Sequence, residues 1–366
     1  MTNTVQNEYY PDYVSSPGEM LLETLEAIGM PQSELAKRMN YPVKTINEII
    51  QAKTAVTTEM ALQLEQVLRV STYFWLKREQ RYQEYLTRLA ADQRLSSWVA
   101  WLSEIPMEEM MRRGWMARCT DPSQQVFEAL KFFGACSPDA WQAIFVECQM
   151  ARYRQSATVQ SHLGALSAWL RQGELESQEI DYVAPYNAEA FRDALSTTRA
   201  LTTQPVSVFQ KELVRLCANA GVAVVFVPEL PNTGIWGATQ WLASSEGKAL
   251  IELTLGYQTD DHFWFTFFHE AGHILLHGEP QVFLEIDDKD REKEEYEADT
   301  FASYMLIPRH QWQQFIAQRS YHSKARIEEF AKEVGIAPGI VIGRLQHENL
   351  LPENERNDLK RHLEWA

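Results

Sequence analysis

Residues 260–280 read DDHFWFTFFHEAGHILLHGEP, a largely apolar and aromatic run that nonetheless holds His269, Glu270 and His273 at its centre. Polar groups in so greasy a helix need partners, because burying them unpaired costs free energy. A metal ion is the candidate partner. His269 and His273 stand at i and i+4, so their rings leave one helix face a turn apart and can share one Zn2+ ion. Glu270 is turned by about 100 degrees from His269. It cannot be a ligand beside both histidines, but it can reach a water on the open side, first as general base and then as proton carrier to a leaving amine. His277, a further turn along, shares the face as an outer partner, an oxyanion donor or a plain structural histidine. The same spacing also occurs in buried helices whose histidines are satisfied by backbone or carboxylate groups, so the flanking sequence has to decide.

Upstream, VAVVFVPEL (222–230), IWGATQWLAS (235–244) and KALIELTLGY (248–257) read as three strands. Downstream, an acidic loop EIDDKDREK (285–293) leads into EEYEADTFASYMLIP (294–308), a helix stopped by Pro308. A third ligand is expected from this second helix. Glu295 is the choice. Ala298 and Ala302 at i+3 and i+7 give its face small residues for close approach to the first helix. Asp299 at i+4 is placed to hydrogen-bond a ligand histidine's second nitrogen. Glu297 falls on the side of Phe301 and Tyr304, which suits core packing, and is the fallback ligand. Tyr304 is a second candidate for the oxyanion-donor role.

FHEAGHILLH followed by EYEADTFASYMLIP resembles the ImmA/IrrE family of metallo-endopeptidases, over roughly residues 205–310. The resemblance implies Zn2+, a gluzincin-like zincin fold, and limited cleavage of one regulatory protein of repressor or antitoxin type. GATQWL fits the strand that would pair with an extended peptide.

A second constellation lies near the N-terminus. QSELAKRMNYPVKTINEIIQAK (32–53) reads as helix-turn-helix. Ala36 is the small residue at the helix contact, and Leu35, Met39, Ile46 and Ile49 form the internal surface. Lys44, Thr45, Asn47 and Glu48 open the second helix and point outward toward base edges, while Gln32 and Lys53 are placed to hold phosphates. Residues 15–86 carry eight basic and nine acidic residues in a chain of net charge -16, so the least acidic surface lies at this end. The segment is similar to HigA-like antitoxins of the Xre helix-turn-helix family. That likeness implies a homodimer on double-stranded operator DNA and admits a cognate toxin as a further partner. A helical module without DNA binding is the alternative reading.

The remaining sequence sets boundaries. Length alone favours two or three domains. The N-terminus lacks a basic start followed by an apolar core, no run is long and apolar enough to span a bilayer, and Cys119, Cys136, Cys148 and Cys217 have no CxxC spacing. A cytoplasmic protein with reduced thiols and no membrane partner is expected. The expected organisation is multidomain and mainly α. Residues 1–14 form a flexible arm, and 15–88 an all-α helix-turn-helix bundle whose fifth helix runs out near residue 90. Residues 89–204 form a helical middle region without strands. Residues 205–366 form an α+β zincin domain with a small sheet and a helical tail, whose EEFAKEVGIAPGIVIGRLQ imitates a second helix-turn-helix but is expected to pack on the peptidase. The functional expectation is a DNA-binding transcription regulator with a zinc endopeptidase domain. The alternative is a non-proteolytic antitoxin or repressor with a structural or vestigial metal site.

Overall fold

A computed structural model describes residues 13–147, 163–180, 183–231, 233–242, 248–255, 259–278 and 288–363. Residues 1–12 of the expected arm, Cys148 and residues 285–287 of the expected loop lie outside the described residues. The chain divides into two compact units, residues 1–99 with 122–124, and residues 100–121 with 125–366.

The described residues of the first unit form the helices α1 Pro17–Ile28, α2 Gln32–Arg38, α3 Val43–Ile50, α4 Thr58–Leu68 and α5 Thr72–Ser97. Their ends follow from side-chain chemistry. The Ser16 hydroxyl accepts from the Glu19 amide at 3.0 Å, and Gly29 closes α1 in the left-handed conformation. Pro42, extended at φ -61°, caps α3, where its missing N–H costs nothing. Leu35, Ala36, Met39, Ile46 and Ile49 are all buried, in one core with Leu21, Leu25 and Trp75. Gly18 permits that core, because a Cβ there would sit 2.1 Å from the Ile49 carbonyl oxygen. Contrary to expectation, α5 continues past residue 90 to Ser97, since Leu89, Ala90, Ala91, Gln93 and Arg94 are strong helix formers that no breaker interrupts.

In the second unit, the described part of residues 100–218 is helical. Its helices are α6 Met107–Arg113, α7 Pro122–Phe133 (whose first residues belong to the first unit), α8 Pro138–Trp141, α9 Leu163–Gln178, α10 Ala188–Thr198 and α11 Val206–Ala218. A three-stranded sheet follows: β1 Val222–Phe226, β2 Gly237–Leu242 and β3 Lys248–Leu253, in the order β1-β3-β2. β1 is parallel to the central β3, and β2 is antiparallel to it, with Thr239 opposite Ile251. Alternation gives the sheet two faces. Val222, Val224, Ala249, Ile251 and Leu253 join the main core with Phe263, Trp264 and Phe267 of α12, Asp260–His277. α9 packs on β1 and β3, and the Gly173 backbone of α9 rests on the side chain of Glu252, which points to the alternate face.

α12 packs most closely against α13, Asp288–Leu306. The expected acidic loop is therefore shorter than its sequence suggested. The helix takes in residues from 288, and Lys293 supports it by pairing with Glu297 one turn on at 3.8 Å. α14 Arg309–Ala317, α15 Lys324–Val334 and α16 Pro338–His347 complete the unit. Ile327, Phe330, Ala331 and Val341 belong to the same core as α12, so the tail that imitates a helix-turn-helix is packing. The start of α12 is gripped from the tail. Arg361 donates from its amide and its Nε to Asp260 at 3.0 Å each, and Lys360 pairs with buried Asp261 at 2.7 Å. Among the described residues no helix is long and apolar enough to cross a membrane.

Candidate metal and DNA-facing sites

The centre of α12 is where side chains converge. Its i, i+4 spacing sets the His269 and His273 Nε2 atoms 3.0 Å apart. From α13 the Glu295 carboxylate reaches both, with Oε2 3.3 Å from His269 Nε2 and Oε1 3.7 Å from His273 Nε2. These three residues are the one group among the described residues whose ligand atoms lie together in metal-binding range. Two features of the helix contact bring Glu295 so near. Ala298 and Ala302 are fully buried, and Gly272 leaves no side chain between the helices.

Each ring is also held from behind. His269 Nδ1–H donates to Asp299 Oδ1 at 2.9 Å. On His273, Nδ1 lies 3.0 Å from His277 Nδ1, and His277 Nε2 lies 3.3 Å from Glu297 Oε2. An ionised Glu297 can only accept, so a neutral His277 carries its proton on Nε2 and accepts at Nδ1. His273 then donates from Nδ1. In this tautomer set both Nε2 lone pairs are bare and face one another beside a carboxylate, an arrangement that suits a cation. Considered without one, a ring takes up a proton instead. Burial would hold His269 neutral, but the hydrogen bonds to Asp299 and Glu295 and the charge of Glu270 outweigh it and raise that ring to about 10. His269 and His273 in turn hold the Glu295 carboxyl well below the usual range. Two imidazole nitrogens and one carboxylate form a donor set that zinc accepts.

Glu270, at i+1 from His269, points away from the ligand face toward the sheet, where the Thr239 hydroxyl of β2 donates to its Oε2 at 2.7 Å. Sequence reasoning missed Thr239 and its neighbour Gly237. The run GATQWL shows that alternate residues share a face, but not which face meets α12. Glu297 differs from expectation. It is half exposed and braces His277 rather than packing in the core, because Phe301 takes the inner position against Gly272. His277 stands behind His273, in the outer of the positions considered for it. Tyr304 is held elsewhere, with its ring beneath the guanidinium groups of Arg344 and Arg309 at 5.4 and 5.9 Å.

In the first unit, Lys44, Thr45 and Asn47 lie in the first two turns of α3, with Lys44 opposite buried Ile46 and Ile49 and with Thr45 and Asn47 partly buried on its flanks. Lys44 is highly exposed, with Glu48 at 3.6 Å. Gln32 opens α2, and Lys53 is exposed just beyond α3.

Comparison with known proteins finds two families. Residues 21–75 match the family described as helix-turn-helix, and residues 256–346 match the peptidase family described as the IrrE N-terminal-like domain. Virulence-associated protein A of Dichelobacter nodosus is 35% identical over 68 residues, which is 18% of this chain and 67% of that protein. Among solved structures, an addiction module antidote protein of the HigA family from Coxiella burnetii is similar at 24% identity. That match covers 23% of this chain and 92% of the other, with a TM-score of 0.22.

Proposed function

We propose that this chain, whose residues 21–75 match the helix-turn-helix family and whose residues 256–346 match the IrrE N-terminal-like peptidase family, is a DNA-binding transcription regulator with a zinc-dependent endopeptidase of limited specificity. The substrate class is a regulatory protein of repressor or antitoxin type. The observation that carries the peptidase reading is the arrangement at α12, where three convergent donors, two histidines and a glutamate, stand beside a separate carboxylate, Glu270, which the sheet holds apart from them. A structural zinc site is usually closed by four protein ligands, whereas three ligands with a separate glutamate mark a catalytic one.

His269, His273 and Glu295 would hold the ion. Bound there, zinc would supply Lewis-acid polarisation of a peptide carbonyl and a more acidic water. The chain's own groups do the rest. Asp299 and the Glu297–His277 pair fix ring orientation and tautomer. The Glu270 carboxylate takes a proton from the attacking water and returns it to the leaving amine. β2 is paired on one side only, with β3, among the described residues. Its other edge offers backbone groups to an extended substrate segment. In the first unit, Lys44, Thr45 and Asn47 would meet base edges while Gln32 and Lys53 hold phosphates, on an operator bound by a homodimer.

Co-expression with neighbouring gene products tests the reading. A protein cut by the wild type and left whole by Glu270→Gln supports it. Intact partners throughout, with operator binding retained, would leave a non-proteolytic repressor or antitoxin, with or without a toxin partner.

A further inference from the structure

β2 lies along α12 and touches it through every second residue. Gly237 meets Thr266 and Glu270, Thr239 meets Glu270, and Trp241 donates its indole N–H to the Gly278 carbonyl at 2.8 Å. Two strand residues advance roughly 6.6 Å and four helix residues about 6 Å, which matches the step from Gly237 beside Thr266 to Thr239 beside Glu270, while the long Trp241 side chain reaches on to Gly278. Glu270 is nearly buried, at 9% exposure. A carboxylate so enclosed needs a donor on each oxygen that water does not reach. The Thr239 hydroxyl is that donor for Oε2. Thr239 Oγ1 also lies 3.1 Å from the Glu270 carbonyl oxygen, but its single proton goes to the shorter contact, with the charged group. Gly237 closes the other side, since a Cβ there would stand 2.5 Å from Thr266 Cγ2, 3.1 Å from Glu270 Cγ and 3.2 Å from its Oε1.

We propose that Thr239 is a positioning residue for Glu270. Its hydroxyl ties down Oε2 and leaves Oε1 as the oxygen that handles the proton, while the bare Cα of Gly237 gives that carboxylate its room. The same edge strand that would hold the substrate thus also sets the rotamer of the base. This rests on the reading of Glu270 as general base, so the test has one arm that depends on turnover and one that does not.

The turnover arm uses the full-length zinc-loaded protein and a peptide that the wild type selects from a quenched-fluorescent library. Thr239→Val keeps the side chain's shape and removes the O–H. kcat is expected to fall about 10- to 100-fold, as for a misplaced catalytic group, with KM and zinc content unchanged. Thr239→Ser restores most of kcat. A wild-type kcat in the valine variant overturns the proposal. So does a raised KM with kcat intact, or a serine variant as slow as valine, because each assigns Thr239 to strand packing. The second arm is a double-mutant cycle on thermal midpoints. Thr239→Val lowers the midpoint more in the wild-type background than in Glu270→Ala. Equal shifts in both overturn the contact. Coupling in the cycle with no peptide cleaved upholds the Thr239–Glu270 pair and removes the peptidase reading instead.

Discussion

Gly272 of α12 lies directly on Ala298 of α13. A Cβ on Gly272 would stand 3.2 Å from the Ala298 Cα and 3.1 Å from the Phe301 ring. The distance between these two residues fixes how near Glu295 comes to His269 and His273. Gly272→Val is therefore expected to push α13 outward, to destabilise the domain by about 1–3 kcal/mol as overpacking does, and to weaken metal binding. Isothermal titration with zinc checks this, and affinity equal to wild type would disprove the link between helix spacing and the site.

The three acidic residues of α13 should separate by role. Glu295→Ala is expected to remove most zinc affinity. Asp299→Ala is expected to reduce it about 10- to 100-fold, since the His269 ring loses its orienting partner. Glu297→Ala should weaken binding less than Asp299→Ala, because it acts through His277 and stands one residue further from the ion. Competition titration against a chelating dye ranks the three. Zinc bound normally by Glu295→Ala would move the ligand elsewhere.

The helix-turn-helix should fail independently of the metal site. Lys44→Ala with Asn47→Ala is expected to weaken operator binding in a gel-shift assay, without changing a content of about one zinc per chain. Gly18→Ala tests the scaffold, since its Cβ would meet the Ile49 and Ile50 carbonyl oxygens at 2.1 and 2.6 Å. Circular dichroism should show early melting of this unit with zinc content retained, and a wild-type melt would contradict the packing described.

Glu252 gives a pH prediction. It is fully buried on β3, and neither carboxylate oxygen has a hydrogen-bond partner among the described residues. Burial, reinforced by the charges of Glu176 and Glu174, pushes its pKa well above the ordinary 4.5. The folded state therefore holds a proton that the unfolded chain releases, so stability falls as pH rises from about 4.5 toward the raised folded value. Glu252→Gln should flatten that decline and raise the melting temperature at pH 8. Identical melting curves from pH 4 to 8 would show that Glu252 is stabilised by something else.

Whatever depends on neighbours along one helix was legible in the sequence. The i, i+4 spacing of His269 and His273, the placing of Ala298, Asp299 and Ala302 on the Glu295 face, and the spacing of Leu35 and Met39 and of Ile46 and Ile49 are all local periodicities, and a helix has only one way to express them. The ends of α5 and α13 were harder, because Leu, Ala, Arg and Lys with charged neighbours suit an exposed helix as well as a loop. Contacts between elements had no such signal. Nothing in GATQWL says that Thr239 faces Glu270 rather than the far side of the sheet, since the register with β3 and the side chosen by α12 decide it. Nothing in EYEAD says that Glu297 braces a histidine, because that needs the crossing of α12 and α13. The sequence determined which groups stand on each face of each element. Only tertiary packing decided which faces meet, because that choice balances burial over the whole core rather than over one turn of chain.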